Sequence, residues 1–277
     1  MMTLTDTVLD YWSTIDGMEW WVRLIIGLSC SIIAGATVQS IAKGPVMKLI
    51  SKSDNKYDLI KGHQFYGVHK FLSNEARYFA ILRDPFERIL SLYNFLRQIN
   101  LYPEINKNNL TITEFVKSGL ALAADNGMVR FISGVDRDEA SYGKITDLHL
   151  KKAIENIEEK FCFVGLSEYF DLSLLSVASW LKWVNTPLYK SKNITNASFK
   201  NSSLTVDDYL FLTDYLKFDI CLYNYIKSQF FYSVKNAIGK NYLSLERKFK
   251  EDNQRFNRRR DQSNSVLQKI VMRIKSV

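Results

Sequence analysis

Two apolar runs, residues 78–82 and 161–166, have the length and the β-branched or aromatic content of strands buried on both faces. Each gives way to a helical pattern. After the first, Asp84-Pro85-Phe86-Glu87 opens a helix with a physical reason at each place: Asp84 caps, Pro85 occupies the first position, where no N–H is needed, and Glu87 the third. Phe86, Ile89, Leu90, Tyr93 and Leu96 then recur at helical spacing. After the second run, 172–184 shows the same period through Leu174, Leu175, Ala178, Leu181 and Trp183. Thr111-Ile112-Thr113-Glu114 is a capping box opening another helix, and Thr205 with Asp208 caps a long one that runs to Phe230. Strands alternating with helices predict an α/β domain whose central parallel sheet is flanked by helices on both faces.

The N-terminal stretch 20–38 has Arg23 as its one charge and comes near the length that spans a bilayer. Asp6, Asp10, Asp16 and Glu19 precede it with no cation, which is the wrong flank for a secretory signal peptide. Two readings stand. A membrane span would leave the rest of the chain on the cytoplasmic side, because Lys43, Lys48, Lys52 and Lys56 follow it. A buried strand, 24–33, would turn at Ala34-Gly35 into a helix, and Ser29, Ser31, Thr37 and the two glycines favour this second reading.

Composition narrows the class without naming a chemistry. At 277 residues, with 47% apolar and 24% charged residues and only 4 Pro, the chain has the make-up of a globular protein with ample core. Cys30, Cys162 and Cys221 form no CxxC pair and there are 3 His, so neither a disulfide framework nor a metal site is suggested. The formal charge of +8 is concentrated at the C-terminus: residues 246–277 hold ten Lys/Arg against four acids, +6 of the total. There Val266, Leu267, Ile270, Val271 and Ile274 recur at helical spacing beside Lys269, Arg273 and Lys275, a pattern suited to an anionic membrane surface and equally to a solvated appendage. The 17 Phe and 15 Tyr lie at periodic apolar positions, which argues for core packing and against a specific nucleic-acid partner. The division expected is an extension over 1–19, a domain over 20–238 and a basic helical tail over 239–277.

The most informative stretch is 77–93. A buried strand delivers Arg83 at its C-terminal end, where ligands of open α/β sheets sit, just before a helix N-terminus. Ser91 lies seven residues beyond Asp84, on the same helix face about 10 Å further along. Arg83 and Ser91 can then hold one phosphate between them, or Arg83 pairs with Asp84 or Glu87 and Ser91 faces solvent.

The string Leu-Arg-Asp-Pro-x-x-Arg-x-x-Ser-x-Tyr at 82–93 resembles the 3′-phosphate-binding motif of carbohydrate sulfotransferases that use 3′-phosphoadenosine 5′-phosphosulfate (PAPS), in particular the branch of heparan sulfate 2-O-sulfotransferase, within sulfotransferase family 2. Upstream, Gly62-His63 is similar to the segment that supplies the catalytic histidine there; Asp125-Asn126-Gly127 and the residues to Gly134 resemble a helix near the acceptor; Phe163-Val164-Gly165-Leu166-Ser167-Glu168 resembles a later strand-helix unit. The likeness spans roughly 57–232.

It implies a three-layer, P-loop-like sulfotransferase fold, PAPS as co-substrate without a metal, and a carbohydrate or similar hydroxyl acceptor. By the same resemblance, His63 is the general base, Arg83 and Ser91 bind the 3′-phosphate, and Lys192 and Thr195 lie in a loop over the nucleotide; from the residues themselves, Arg130 faces an anionic acceptor or pairs with Asp125 or Asp136. The phosphosulfate loop is the departure. Its best placement is 31–37, where Gly35 and Thr37 match but Ile32 stands in the place of the lysine that contacts the leaving phosphate. A nucleotide-binding relative without turnover is therefore the alternative, and a basic membrane-surface protein the third.

Overall fold

In the computed structural model, which describes residues 25–29, 59–62, 65–71, 76–189 and 204–275, both apolar runs are strands of one parallel sheet. Its members are β1 (Ile25–Ser29), β2 (Leu59–Gly62), β3 (Arg77–Leu82) and β4 (Phe161–Leu166), in the spatial order β2-β1-β3-β4 with every neighbouring pair parallel. On β3 Tyr78, Ala80 and Leu82 are fully buried while Phe79 and Ile81 are less so, the alternation that the pleat imposes. Residues 25–29 of the ambiguous N-terminal stretch are thus an interior strand, and among the described residues no helix is long and apolar enough to cross a membrane.

The helices are α1 (Pro85–Ile99), α2 (Pro103–Lys107), α3 (Ile112–Ser118), α4 (Gly127–Ser133), α5 (Asp147–Lys160), α6 (Phe170–Trp180), α7 (Val206–Tyr215), α8 (Lys217–Ile238) and α9 (Tyr242–Lys275). The predicted caps form. Thr111 and Glu114 exchange both capping-box bonds, as do Thr205 and Asp208, and Asp208 also takes the Thr113 hydroxyl at 2.6 Å, fastening α7 to α3. The helix expected from 205 to 230 is instead two helices that break at Leu216. Asn126 is the cause: its Nδ2 donates to the Tyr215 carbonyl at 2.9 Å and its Oδ1 accepts from the Asp219 N–H at 3.1 Å. Those are the two groups that a continuous helix would have joined to each other, so one side-chain amide replaces the missing rung.

Two apolar clusters make the core. One joins β3 and β4 to α8 through Tyr78, Leu82, Phe163, Leu166, Leu222 and Phe230; the other joins α1, α3 and α7 through Ile89, Leu96, Phe115, Val116 and Leu212. All seven residues of α4 are buried, and it contributes to both clusters, Met128, Val129 and Ile132 to the first and Phe131 to the second. The first half of α9 is built into the domain rather than hanging from it. Phe249 is 3% exposed and stacks on Tyr189, whose N–H donates to Asn253 Oδ1 at 2.7 Å and whose carbonyl accepts from Asn257 at 3.0 Å.

Candidate active site

Strand order locates the site before any side chain is considered. The chain passes from β1 outward to β2, returns across β1 to β3, and continues outward to β4 on the other side. Connections therefore diverge between β1 and β3, the point at which open parallel sheets bind ligands outside their carboxyl ends. Arg83 follows the last residue of β3 directly at that edge. Gly62, the last residue of β2, lies level with Leu28 and Ala80, and Ser29, the last of β1, lies level with Ile81. The three strands consequently end together, β2 and β3 separated by two strand spacings, about 9–10 Å. His63 is the next residue after β2, and it lies outside the described residues, as do Ile32, Gly35, Thr37, Lys192 and Thr195.

The start of α1 departs from the sequence expectation in one respect. Asp84 Oδ1 accepts the N–H groups of Phe86 at 3.0 Å and Glu87 at 3.2 Å, Pro85 has none, and the Arg88 N–H is held by the Asp84 carbonyl at 2.8 Å. The first-turn donors are spent internally, so this helix start has no free N–H group to offer an anion. Arg83 is a cation at this edge. It pairs with Glu87 at 3.1 Å, but with the Glu87 side chain 61% exposed this is a surface i,i+4 pair, worth about 0.3–0.5 kcal/mol and easily exchanged for a phosphate. Ser91 stands half-buried on α1. The Asp84 N–H donates to Glu168 Oε1 at 2.7 Å, which ties the end of β3 to the end of β4.

Arg130 occupies a different kind of place. Its side chain is 1% exposed, it pairs with the equally buried Asp125, and its remaining N–H groups reach the carbonyls of Asp136 (3.2 Å), Ala140 (2.8 Å) and Ser141 (2.9 Å). Of the two roles open for it in the sequence, the geometry supplies the ion pair with Asp125, and no N–H is left over for an acceptor. The Asp-Asn-containing helix α4 is accordingly interior, with no face toward solvent.

The two described histidines, His69 and His149, are structural. His69 sits beside the opening residues of β3, at the end opposite Arg83, with Nδ1 2.6 Å from the Tyr78 hydroxyl. That hydroxyl also accepts the N–H groups of Gly67 (3.2 Å) and His69 (3.0 Å), and burial pushes its pKa up to about 12, so it keeps its proton and donates it to Nδ1. Burial, followed by Lys160 and Lys70, lowers the pKa of His69. His149 Nδ1 accepts the Thr146 N–H at 3.0 Å at the start of α5.

Sequence reasoning gave no role to Arg88, whose guanidinium the structure buries. It is 5% exposed, donates from Nη2 to the Ala123 carbonyl at 2.9 Å, and lies 3.8 Å from the carboxylate of Asp219. Asp219 in turn accepts the N–H groups of Met128 (3.2 Å) and Val129 (2.9 Å) at the start of α4. The place of Arg88 in the motif string was a usable signal. Asp219 had none, because it is a lone acid inside a helical pattern, 131 residues away.

No curated protein matches the chain. A family model described as galactose-3-O-sulfotransferase matches residues 49–275, about four-fifths of the chain, beginning after β1 and running through α9. The likeness to the heparan sulfate 2-O branch is therefore carried at the coarser level of carbohydrate sulfotransferase. With a match over most of its length, the chain belongs to the galactose-3-O-sulfotransferase family, a family of carbohydrate sulfotransferases.

Proposed function

We propose that the protein transfers the sulfuryl group of PAPS to a hydroxyl of a galactose-containing carbohydrate, with His63 as general base and with Arg83 and Ser91 holding the 3′-phosphate. The observation that carries this reading is the common edge at which β1, β2 and β3 end, since the residues that follow them are, in order, the 31–37 loop, His63 and Arg83. The three-layer, P-loop-like arrangement belongs to the same proposal. In the reaction, the His63 ring takes the proton of the acceptor hydroxyl as that oxygen bonds to sulfur and the bond from sulfur to the phosphate oxygen breaks; the desulfated nucleotide leaves. A base so placed contributes about 10²- to 10⁴-fold. Gly35 and Thr37 line the phosphosulfate end, and Lys192 and Thr195 cover the nucleotide.

Ile32 supports a second reading, a relative that binds the nucleotide and turns over slowly or not at all. Loss of one preorganised stabiliser of developing charge costs on the order of a hundredfold to a thousandfold. Two measurements decide. Calorimetric titration with 3′-phosphoadenosine 5′-phosphate (PAP) is expected to show tight binding that adenosine 5′-phosphate (AMP) does not match, and transfer of radiolabelled sulfate from PAPS to a galactoside is expected to vanish in His63→Ala. Equal affinity for the two nucleotides overturns the donor assignment. PAP binding without any transfer by the parent selects the second reading.

A further inference from the structure

Helix α4 touches both halves of the proposed machinery, and at each end it does so across a glycine. At its first residue the donor helix α1 presses in: a Cβ on Gly127 would overlap the Arg88 guanidinium, which is held there by Asp219 and the Ala123 carbonyl. At its far end the segment after β2 presses in: the Tyr66 N–H donates to the Phe131 carbonyl at 2.7 Å, and Phe65 stacks on Phe131 at 4.8 Å between ring centres. A Cβ on Gly134 would come within 2.5 Å of the Tyr66 carbonyl, and its φ of 77° is one that glycine alone adopts without strain. Phe65 is two residues beyond His63 and three beyond the end of β2, so the chain on the C-terminal side of His63 is fixed against α4. Arg88 is five residues beyond Arg83 and three before Ser91, and it meets the start of α4 at Gly127 and, through Asp219, at the N–H groups of Met128 and Val129.

From this juxtaposition we infer that α4 is the spacer that sets the distance between the donor grip and the base, with Arg88 and Phe131 as positioning residues at its two ends. The inference rests on the proposed roles of Arg83, Ser91 and His63. Arg88 is buried with its guanidinium against the Ala123 carbonyl, Gly127 and Asp219, and so acts on the nucleotide through the seating of α1. Phe131 acts through Phe65 on the reach of the base. Their effects are therefore separable, which a loss of general stability would not produce.

The test uses the full chain and two conservative variants. Arg88→Lys keeps a charge near Asp219 but loses the planar fork that also serves the Ala123 carbonyl. Phe131→Leu keeps the carbonyl that holds Tyr66 and loses the ring stack. Expected for Arg88→Lys is a PAP affinity weaker by about tenfold, with the affinity for AMP, which lacks the 3′-phosphate, within about twofold of the parent. Expected for Phe131→Leu is a kcat for sulfate transfer lower by about ten- to a hundredfold with PAP affinity within about twofold, the scale on which small misplacements act. Parent values of both quantities in variants that melt cooperatively overturn the inference, and so does a fall of both quantities by one common factor in each variant. Should Phe131→Leu fail to fold, Phe65→Leu removes the same stack from the other side and carries the same expectation. A parent that binds PAP and AMP alike, or His63→Ala with the parent's rate, overturns the proposed function and this inference with it.

Discussion

Replacing Arg130 by Met removes five N–H donors from a site that water does not reach. Asp125, 1% exposed, loses its cation, and the carbonyls of Asp125 and Ala140 lose their guanidinium donors, while those of Asp136 and Ser141 keep the N–H groups of Ala140 and Lys144. Breaking a buried pair from one side costs about 3–5 kcal/mol, and the two carbonyls add about 1 kcal/mol each, for a total of about 5–7 kcal/mol. A whole domain is stable by about 5–15 kcal/mol. Arg130→Met is therefore expected to express as insoluble protein or to lose most of its urea midpoint, followed by tryptophan fluorescence. The double variant Asp125→Leu/Arg130→Met leaves no stranded charge and should regain a large part of that loss. The opposite outcome is well defined. An Arg130→Met protein with the parent's urea midpoint and a raised KM for the galactoside would mean that the guanidinium works on the acceptor, and the buried pair would not describe the protein in solution.

Arg83→Ala should weaken PAP by about 1.5–3 kcal/mol, while Glu87→Gln, which frees Arg83 from a surface pair, should tighten it by about 0.3–0.5 kcal/mol; unchanged calorimetric affinity in Arg83→Ala puts the 3′-phosphate elsewhere. Burial and the two lysines hold the His69 pKa below its unfolded value, so the unfolded chain binds the proton first and stability is lost as pH falls below about 6.5; His69→Gln should flatten the difference between urea midpoints at pH 8 and at lower pH, and an unaltered difference removes His69 as its source. A Cβ on Gly165 would stand 2.6 Å from Ser173, whose hydroxyl holds both the N–H and the carbonyl of Leu166 at 2.9 Å, so Gly165→Ala should cost about 1–3 kcal/mol by thermal unfolding, and a parent-like Tm would show that α6 yields freely. Deleting 246–277 removes the buried Phe249 and the Asn253 and Asn257 bonds to Tyr189, and should cost about 3–5 kcal/mol; a truncated protein with the parent's urea midpoint would make α9 dispensable to the fold.

What could be read along the chain was what neighbours in sequence decide. β4 falls on 161–166, β3 begins one residue before its apolar run, and the caps at Asp84, Thr111 and Thr205 are in place, because strand length and helix starts are local chemistry. Arg83 stands at the strand end for the same reason. What was not legible depends on partners far away. The break at Leu216 follows from the amide of Asn126, ninety positions earlier, and no periodicity within 205–230 announces it. Arg130 was ambiguous in sequence because Asp125 and an acceptor anion are equally good partners for a guanidinium; only its burial separates them. The spent donors at the start of α1 were legible in principle, since Asp84 was already recognised as the cap that consumes them.

The salt link between Arg88 and Asp219 also fixes an order of events in synthesis. A ribosome adds about 5–20 residues per second, so Asp219 emerges roughly 7–26 s after Arg88. Throughout that interval the guanidinium meant for the interior has its charge but not its counter-ion, and the start of α4 lacks the carboxylate that satisfies Met128 and Val129. The nascent chain through residue 218 thus carries α1 with α3 and α7 to pack on but with Arg88 still lacking Asp219, and non-local closure of this kind is slow and exposes apolar surface while it waits. Fragments ending before α8 should be degraded or aggregate even though they contain every residue assigned to the nucleotide and the base, and the sheet edge becomes a site only when the C-terminal third arrives.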